Sequence, residues 1–234
     1  MAQNTGNAKN ILVGASPLFL TVEDSTVVGY VDNMEPGTAK VSTANTNRAV
    51  PAYNTGASYT DTLNSVDLAN SGTTGAAYRN VGFTNNGLQI TYNPSYGSVT
   101  VDQLLDTAKL FKESMEVMIA TEMSEGTLEN TLVVFGQKKA TLSSGVLGIE
   151  AGALGSAPTE RQLIAVGSAP TVSTPNSERV YYARRVLSVQ QSQFSLARNA
   201  ATTFPVTFRL LPSGDSAYAG QEYGKIIDRT WTPA

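Results

Sequence analysis

The sequence predicts a mostly β fold: an antiparallel β-sandwich or barrel with one flanking α-helix and long arms and loops. Two observations predict the class. Apolar and polar residues alternate with a period of two in several runs, as in Leu88, Ile90 and Tyr92 against Gln89, Thr91 and Asn93, the pattern of half-buried strands. Only one segment carries apolar residues at helical spacing, and many short strands with one helix pack as a sandwich or barrel. With 41% hydrophobic residues over 234 positions, the chain can bury a core, and its length suits one domain with an insertion, or one and a half, read here as a single domain, 1–234.

The elements follow in chain order. Met1–Asn10 is small and polar and reads as an arm. Ile11–Val13, Leu18–Val22 and Val27–Val31 read as short strands, the first two separated by Gly14-Ala15-Ser16-Pro17. Residues 33–79 are rich in Thr, Asn, Ala, Gly and Ser, with Leu63, Val66 and Leu68 the main large apolar side chains. Such a segment cannot hold a core of its own, so it is expected to lie on the surface or on another subunit. Asn86-Gly87 is a turn signal. The strand Leu88–Tyr92 follows, Asn93-Pro94-Ser95-Tyr96-Gly97 is expected to turn the chain, and Val99 and Val101 resume the alternation. Around 113–121, Met115, Val117 and Ile119 take one face, and Ser114, Glu116, Met118 and Ala120 the other.

The helix is expected over Glu125–Phe135, with Ser124 as N-cap and Gly136 as the stop. Leu128, Leu132 and Phe135 fall on one apolar face, which should pack against a sheet. Val146–Ile149, Leu163–Val166, Arg179–Val189 and Phe204–Leu211 read as further strands. The echo of Ala153-Leu154-Gly155-Ser156-Ala157-Pro158 in Ala165-Val166-Gly167-Ser168-Ala169-Pro170 reads as two similar turns at the ends of one hairpin. Residues 213–234 form a C-terminal loop and arm, with Ile226–Trp231 a terminal strand or arm.

Composition excludes much chemistry. The chain has no His and no Cys. Ser-His-Asp and Cys-His nucleophile systems cannot be built, and zinc, haem and iron–sulfur sites lose their usual ligands. Charged residues are 15%, against about 25% in ordinary globular chains. The net charge of −3 lacks the basic footprint of a DNA reader. No apolar h-region opens the chain and no segment is long enough to span a bilayer, so the expectation is a protein made in the cytoplasm, with no membrane partner.

Catalytic patterns are absent or fail on spacing. Gly224-Lys225 is followed by Ile226 and is no phosphate loop. Glu113 and Glu116, three apart in an extended strand, point to opposite faces and make a poor acid/base pair. Glu122, Glu125 and Glu129 read as charges at the helix start, and Arg184-Arg185 and Lys138-Lys139 as surface doublets. No catalytic residue, cofactor or metal site is expected. In Tyr181-Tyr182 one ring faces the core and the next faces out, where it suits an interface. Trp231 is either tucked into its own fold or docked on a neighbour.

One ordered set of motifs carries a resemblance. It runs from Val81-Gly82-Phe83-Thr84-Asn85-Asn86-Gly87-Leu88 to Tyr92-Asn93-Pro94, then Val99-Thr100-Val101-Asp102-Gln103. It continues through the 113–121 strand to Glu125-Gly126-Thr127-Leu128-Glu129-Asn130, and closes with Phe204-Pro205-Val206-Thr207-Phe208 and Gly224-Lys225-Ile226-Ile227-Asp228. This resembles the major tail protein, or tail tube protein, of long non-contractile-tailed bacteriophages, over about half of the chain. Residues 33–79 depart from it, being longer and more polar.

The resemblance implies a structural virion protein of the tail, assembled in the host cytoplasm, without enzymatic activity. Subunits of that family form stacked hexameric rings whose strands wall a channel for double-stranded DNA. The implied partners are other copies of the chain, a tape-measure protein, a tail terminator and baseplate or distal tail proteins. Under it, either the polar face Gln89, Thr91 and Asn93 or the face Ser114 and Glu116 lines the lumen. Trp231, Tyr182, Leu63 and Val66 become inter-subunit contacts. The alternatives are another virion component, such as a capsid decoration or baseplate protein, or a carbohydrate-binding β-sandwich.

Overall fold

The computed structural model describes residues 16, 18–21, 78–101, 106–138, 141–151, 154, 158–170, 177–189, 192–196, 198–199 and 201–230. The arm 1–10, the strands expected at Ile11–Val13 and Val27–Val31, Leu63, Val66 and Trp231 lie outside them.

In chain order the strands are β1 (Leu18–Thr21), β2 (Tyr78–Asn80), β3 (Thr84–Thr100) and β4 (Thr107–Met123). The helix α1 (Leu128–Val134) follows, then β5 (Leu142–Ser143), β6 (Val146–Leu147), β7 (Arg161–Ser168), β8 (Ser177–Ser188), β9 (Phe204–Leu210) and β10 (Gly224–Thr230). The protein is mostly β, and among the described residues every strand pair is antiparallel. The main sheet runs β2-β1-β7-β8-β9-β4-β3, with β10 beside β8.

Its two ends are consecutive in the chain. β2 passes through residues 81–83 into β3, so the sheet curls round and closes through that corner. Val81 is buried there, and its N–H donates to Leu18 O at 3.0 Å. β8 serves two neighbours on one edge. Its first half pairs with β10 from Ser177 to Ala183, and its end pairs with β9 from Val186 to Ser188.

Side-chain patterning explains these positions. Leu18–Leu20 of β1 and Leu163–Val166 of β7 are apolar without alternation, and both faces are buried, as befits interior strands. Leu18, Leu20, Leu163, Ala165 and Ala183 point to the core shared with β4, β9 and α1. β9 alternates: Phe204, Val206, Phe208 and Leu210 are buried, and Arg209 is exposed. Pro205 sits beyond the stretch of β9 that pairs with β8, so its missing N–H costs that ladder nothing.

Several expectations are corrected. The chain does not turn at 93–97, because β3 runs through it and pairs with β4 from Asn93↔Glu116 to Gly97↔Phe111. Pro94 is tolerated because β3 is the end strand of the sheet. Asn86 and Gly87 do take left-handed backbone, φ 60° and 66°, but they form a bulge inside β3 rather than a hairpin. The second copy of the sequence echo is not a turn: Ala165–Ser168 is the end of β7. Of the two alternatives for the C-terminal stretch, strand or arm, residues 224–230 take the strand, beside β8.

The helix starts later than its acidic residues suggest. Thr127, not Ser124, is the N-cap, and its hydroxyl accepts the Asn130 N–H at 3.2 Å. Gly136, at φ 64°, ends the helix as expected. Its N–H donates to Val133 O and that of Gln137 to Leu132 O, a Schellman closure. The buried face is Asn130, Leu132, Val133 and Val134, each apolar member contributing about 1.5–3 kcal/mol by burial. Leu128 and Phe135, expected on that face, remain 38% and 39% exposed. Phe135 still reaches the barrel through Phe194, 6.3 Å away, which packs 4.7 Å from Phe204.

Candidate assembly surface on the long hairpin

β3 and β4 are both 17 residues long, more than twice β9. Only Met118–Met123 of β4 pairs with β9. Among the described residues, the rest of β4 pairs with β3 alone, and β3 pairs only with β4. The outer halves, 94–100 and 107–114, therefore form a two-stranded ribbon standing off the barrel, nearly all of it exposed. An isolated two-stranded ribbon is marginal in water.

The register decides what each face carries, since opposed residues share a face. Gln89↔Ala120, Thr91↔Met118, Asn93↔Glu116 and Ser95↔Ser114 lie on one side. The two polar rows, expected as alternatives, therefore belong to a single face. β9 extends it: Arg209 opposes Met118, and its Nη1 lies 3.5 Å from Glu116 Oε1. Gln89, Thr91, Asn93 and Ser114 are exposed and Glu116 is half-buried.

The opposite side is apolar. Ile90↔Ile119, Tyr92↔Val117 and Pro94↔Met115 continue the core face outward. Val117 and Ile119 are buried over the core, but Ile90 and Tyr92 overhang it, Tyr92 at 58% exposure. β4 carries one extra residue between Ser95↔Ser114 and Tyr96↔Lys112. This bulge turns Lys112 to the side of Tyr92, where Nζ lies 3.4 Å from the Tyr92 hydroxyl and 5.7 Å from its ring centre. Further out, Tyr96 and Leu110 are exposed on this side, Leu110 at 65%, whereas Val99 and Phe111 are exposed on the side of Asn93 and Ser95. Phe111 and Glu113 lie across Gly97, where any Cβ would collide with them.

The remaining expected contacts fall elsewhere. Tyr182 is not available to a neighbour: it is 4% exposed within its own chain. Tyr181 packs against the main core from the other face of β8. Buried Arg184 shares the Tyr182 side, with its guanidinium carbon 3.5 Å from the Tyr218 ring centre. Sequence reasoning missed the apolar ribbon face because it placed a turn at 93–97; the signal was Tyr92, Tyr96 and Leu110 flanking residues with strand alternation.

No group of three or more acidic residues able to hold a metal occurs among the described residues, and no helix among them is long and apolar enough to cross a membrane. Comparison with protein-family models and with curated protein sequences finds no match to this chain.

Proposed function

We propose that the chain is a self-assembling structural subunit, a phage tail tube protein whose copies form stacked hexameric rings around a channel for double-stranded DNA. The observation that carries this reading is the hairpin β3–β4. It combines an end strand with no second partner among the described residues, an apolar stripe in water, and a polar face from Gln89 to Ser95 and from Ser114 to Ala120. A free strand edge invites pairing with another chain, and exposed apolar patches mark interaction sites. A neighbouring copy would cover the stripe Ile90, Tyr92, Tyr96 and Leu110. The polar face with Gln89, Thr91, Asn93, Ser114 and Glu116 would then line the channel, where weak attraction for phosphate lets DNA pass.

In the virion the proposed partners are a tape-measure protein, a tail terminator and baseplate or distal tail proteins. Native mass spectrometry of the full chain tests the reading. Hexamers and their multiples in the parent, lost in a Tyr92→Ser/Leu110→Ser variant that stays folded, would support it. Trimers would favour a capsid decoration or baseplate component instead.

A further inference from the structure

The outer half of the long hairpin differs from its base. At the base, from Gln89 to Ser95 and from Ser114 to Ala120, one side is polar and the other apolar. β3 alternates without interruption from there to Val99, whereas β4 carries the extra residue Glu113 between Ser114 and Lys112. A one-residue slip moves every side chain beyond it to the other side. Lys112 and Leu110 therefore join Tyr96 and Ser98 on the side of Tyr92, and Phe111 and Lys109 join Gly97 and Val99 on the side of Asn93.

Both sides of the outer half thus present large apolar groups to water. Tyr96 and Leu110 do so on one side, and Val99, at 43% exposure, and Phe111, at 45%, on the other. The Phe111 ring and the Glu113 carboxylate occupy the space that a side chain at Gly97 would take, so the ring lies over bare backbone and the ribbon stays thin. A two-stranded ribbon of this kind is marginal in water, and apolar groups exposed on both of its sides call for cover on both.

On the reading that the chain assembles with itself, we propose that the outer half, 96–100 with 107–112, is a tongue that enters a slot between two other copies of the chain. Both of its sides are then covered, while the one-sided base stays in the channel wall. Two observations point to copies of the chain as the walls of the slot. The side with Tyr96 and Leu110 continues the stripe of Ile90 and Tyr92, assigned above to a neighbouring copy. Each copy also offers a second uncovered apolar surface away from the hairpin, as a head-to-tail contact requires. Leu128 and Phe135, at the two ends of α1, fall on one exposed stripe, and Val146 and Ile149 are exposed on and just after β6, which lies beside α1.

The chain has no Cys, so a single substitution supplies a unique thiol. Leu110→Cys and Val99→Cys place one on each side of the tongue. In dilute monomer both should react with a maleimide as free thiols do. In assemblies, followed by light scattering, both rates should fall by about tenfold or more, because labelling follows exposure. Assemblies in which Leu110→Cys is protected while Val99→Cys reacts as in the monomer would overturn the two-sided tongue and leave the self-assembly reading standing. A parent chain that never assembles would overturn both. Protection of both thiols in the monomer by phosphatidylglycerol vesicles would assign the tongue to lipid and likewise overturn the proposal. Should a cysteine variant not assemble, hydroxyl-radical footprinting of the unmodified chain decides. Oxidation of Tyr96 and Phe111 should fall together on assembly; unchanged oxidation of Phe111 would contradict enclosure on both sides.

Discussion

Asn93 of β3 and Glu116 of β4 oppose each other directly across the hairpin ladder, and Arg209 of β9 meets the same glutamate. Two polar rows 21 or more residues apart in sequence thus form one surface. If that surface faces DNA, its low attraction for phosphate is a functional property. Asn93→Lys/Glu116→Lys should give measurable, salt-dependent binding to duplex DNA where the parent shows none. Each phosphate that a new lysine neutralises should steepen the slope of log affinity against log salt by about 0.9. Gel mobility shifts over a salt series check this; equal, absent binding in both proteins would count against the assignment.

The helix has one face that tolerates charge and one that does not. Leu132 is buried in the core, and Leu132→Ala should cost about 2–5 kcal/mol. Leu132→Asp should abolish soluble folded monomer. Leu128→Asp, at a position 38% exposed, should fold. Circular dichroism melts of the soluble fractions separate the two, and a folded Leu132→Asp protein would refute this packing.

Gly224 opens β10 at φ +144°, with Tyr182 O directly beneath the place of a side chain. The obstacle is backbone, which cannot swing aside. Gly224→Ala should destabilise by roughly 1–3 kcal/mol or displace the start of β10. The urea midpoint reads this, and an unchanged midpoint would show that β10 does not pack as described.

Arg179 and Asp228 oppose each other across β8 and β10 and form a two-pronged ion pair, with distances of 2.5 and 2.6 Å. The hydrogen bond from Arg179 holds the Asp228 carboxyl below its ordinary range. A carboxylate lowered on folding adds stability above its unfolded pKa, about 3.9, and loses it as pH falls through the folded value. The carboxylate is half exposed, so the contribution is screened to about 1 kcal/mol at most. Asp228→Asn should therefore be less stable than the parent at pH 7, with the gap closing in acid as pH falls below about 3.9 and through the folded value. Parallel denaturant titrations at pH 7 and in that acid range test it; a gap independent of pH would exclude the ion pair as its source.

What the sequence discloses is local. The left-handed Asn86-Gly87 pair, the Gly136 stop and the alternation in β9 follow from one or two residues and their neighbours. What it conceals is pairing. Asn-Gly carries the same backbone whether the chain reverses or bulges, and only the partner strand decides. Pro94 reads as a breaker unless β3 is known to be an end strand. The union of Asn93 with Glu116 depends on register, and the burial of Tyr182 on packing from elsewhere in the fold. Glu125 reads as a helix charge because its partner, the Phe83 amide, lies 42 residues away.

The most direct test of the central claim is negative-stain electron microscopy of the purified full chain at high concentration. Stacked rings with sixfold averages, extending into hollow tubes, are the expected result. Particles that remain monomeric at every concentration, or that close with another symmetry and do not stack, would contradict the tail-tube reading.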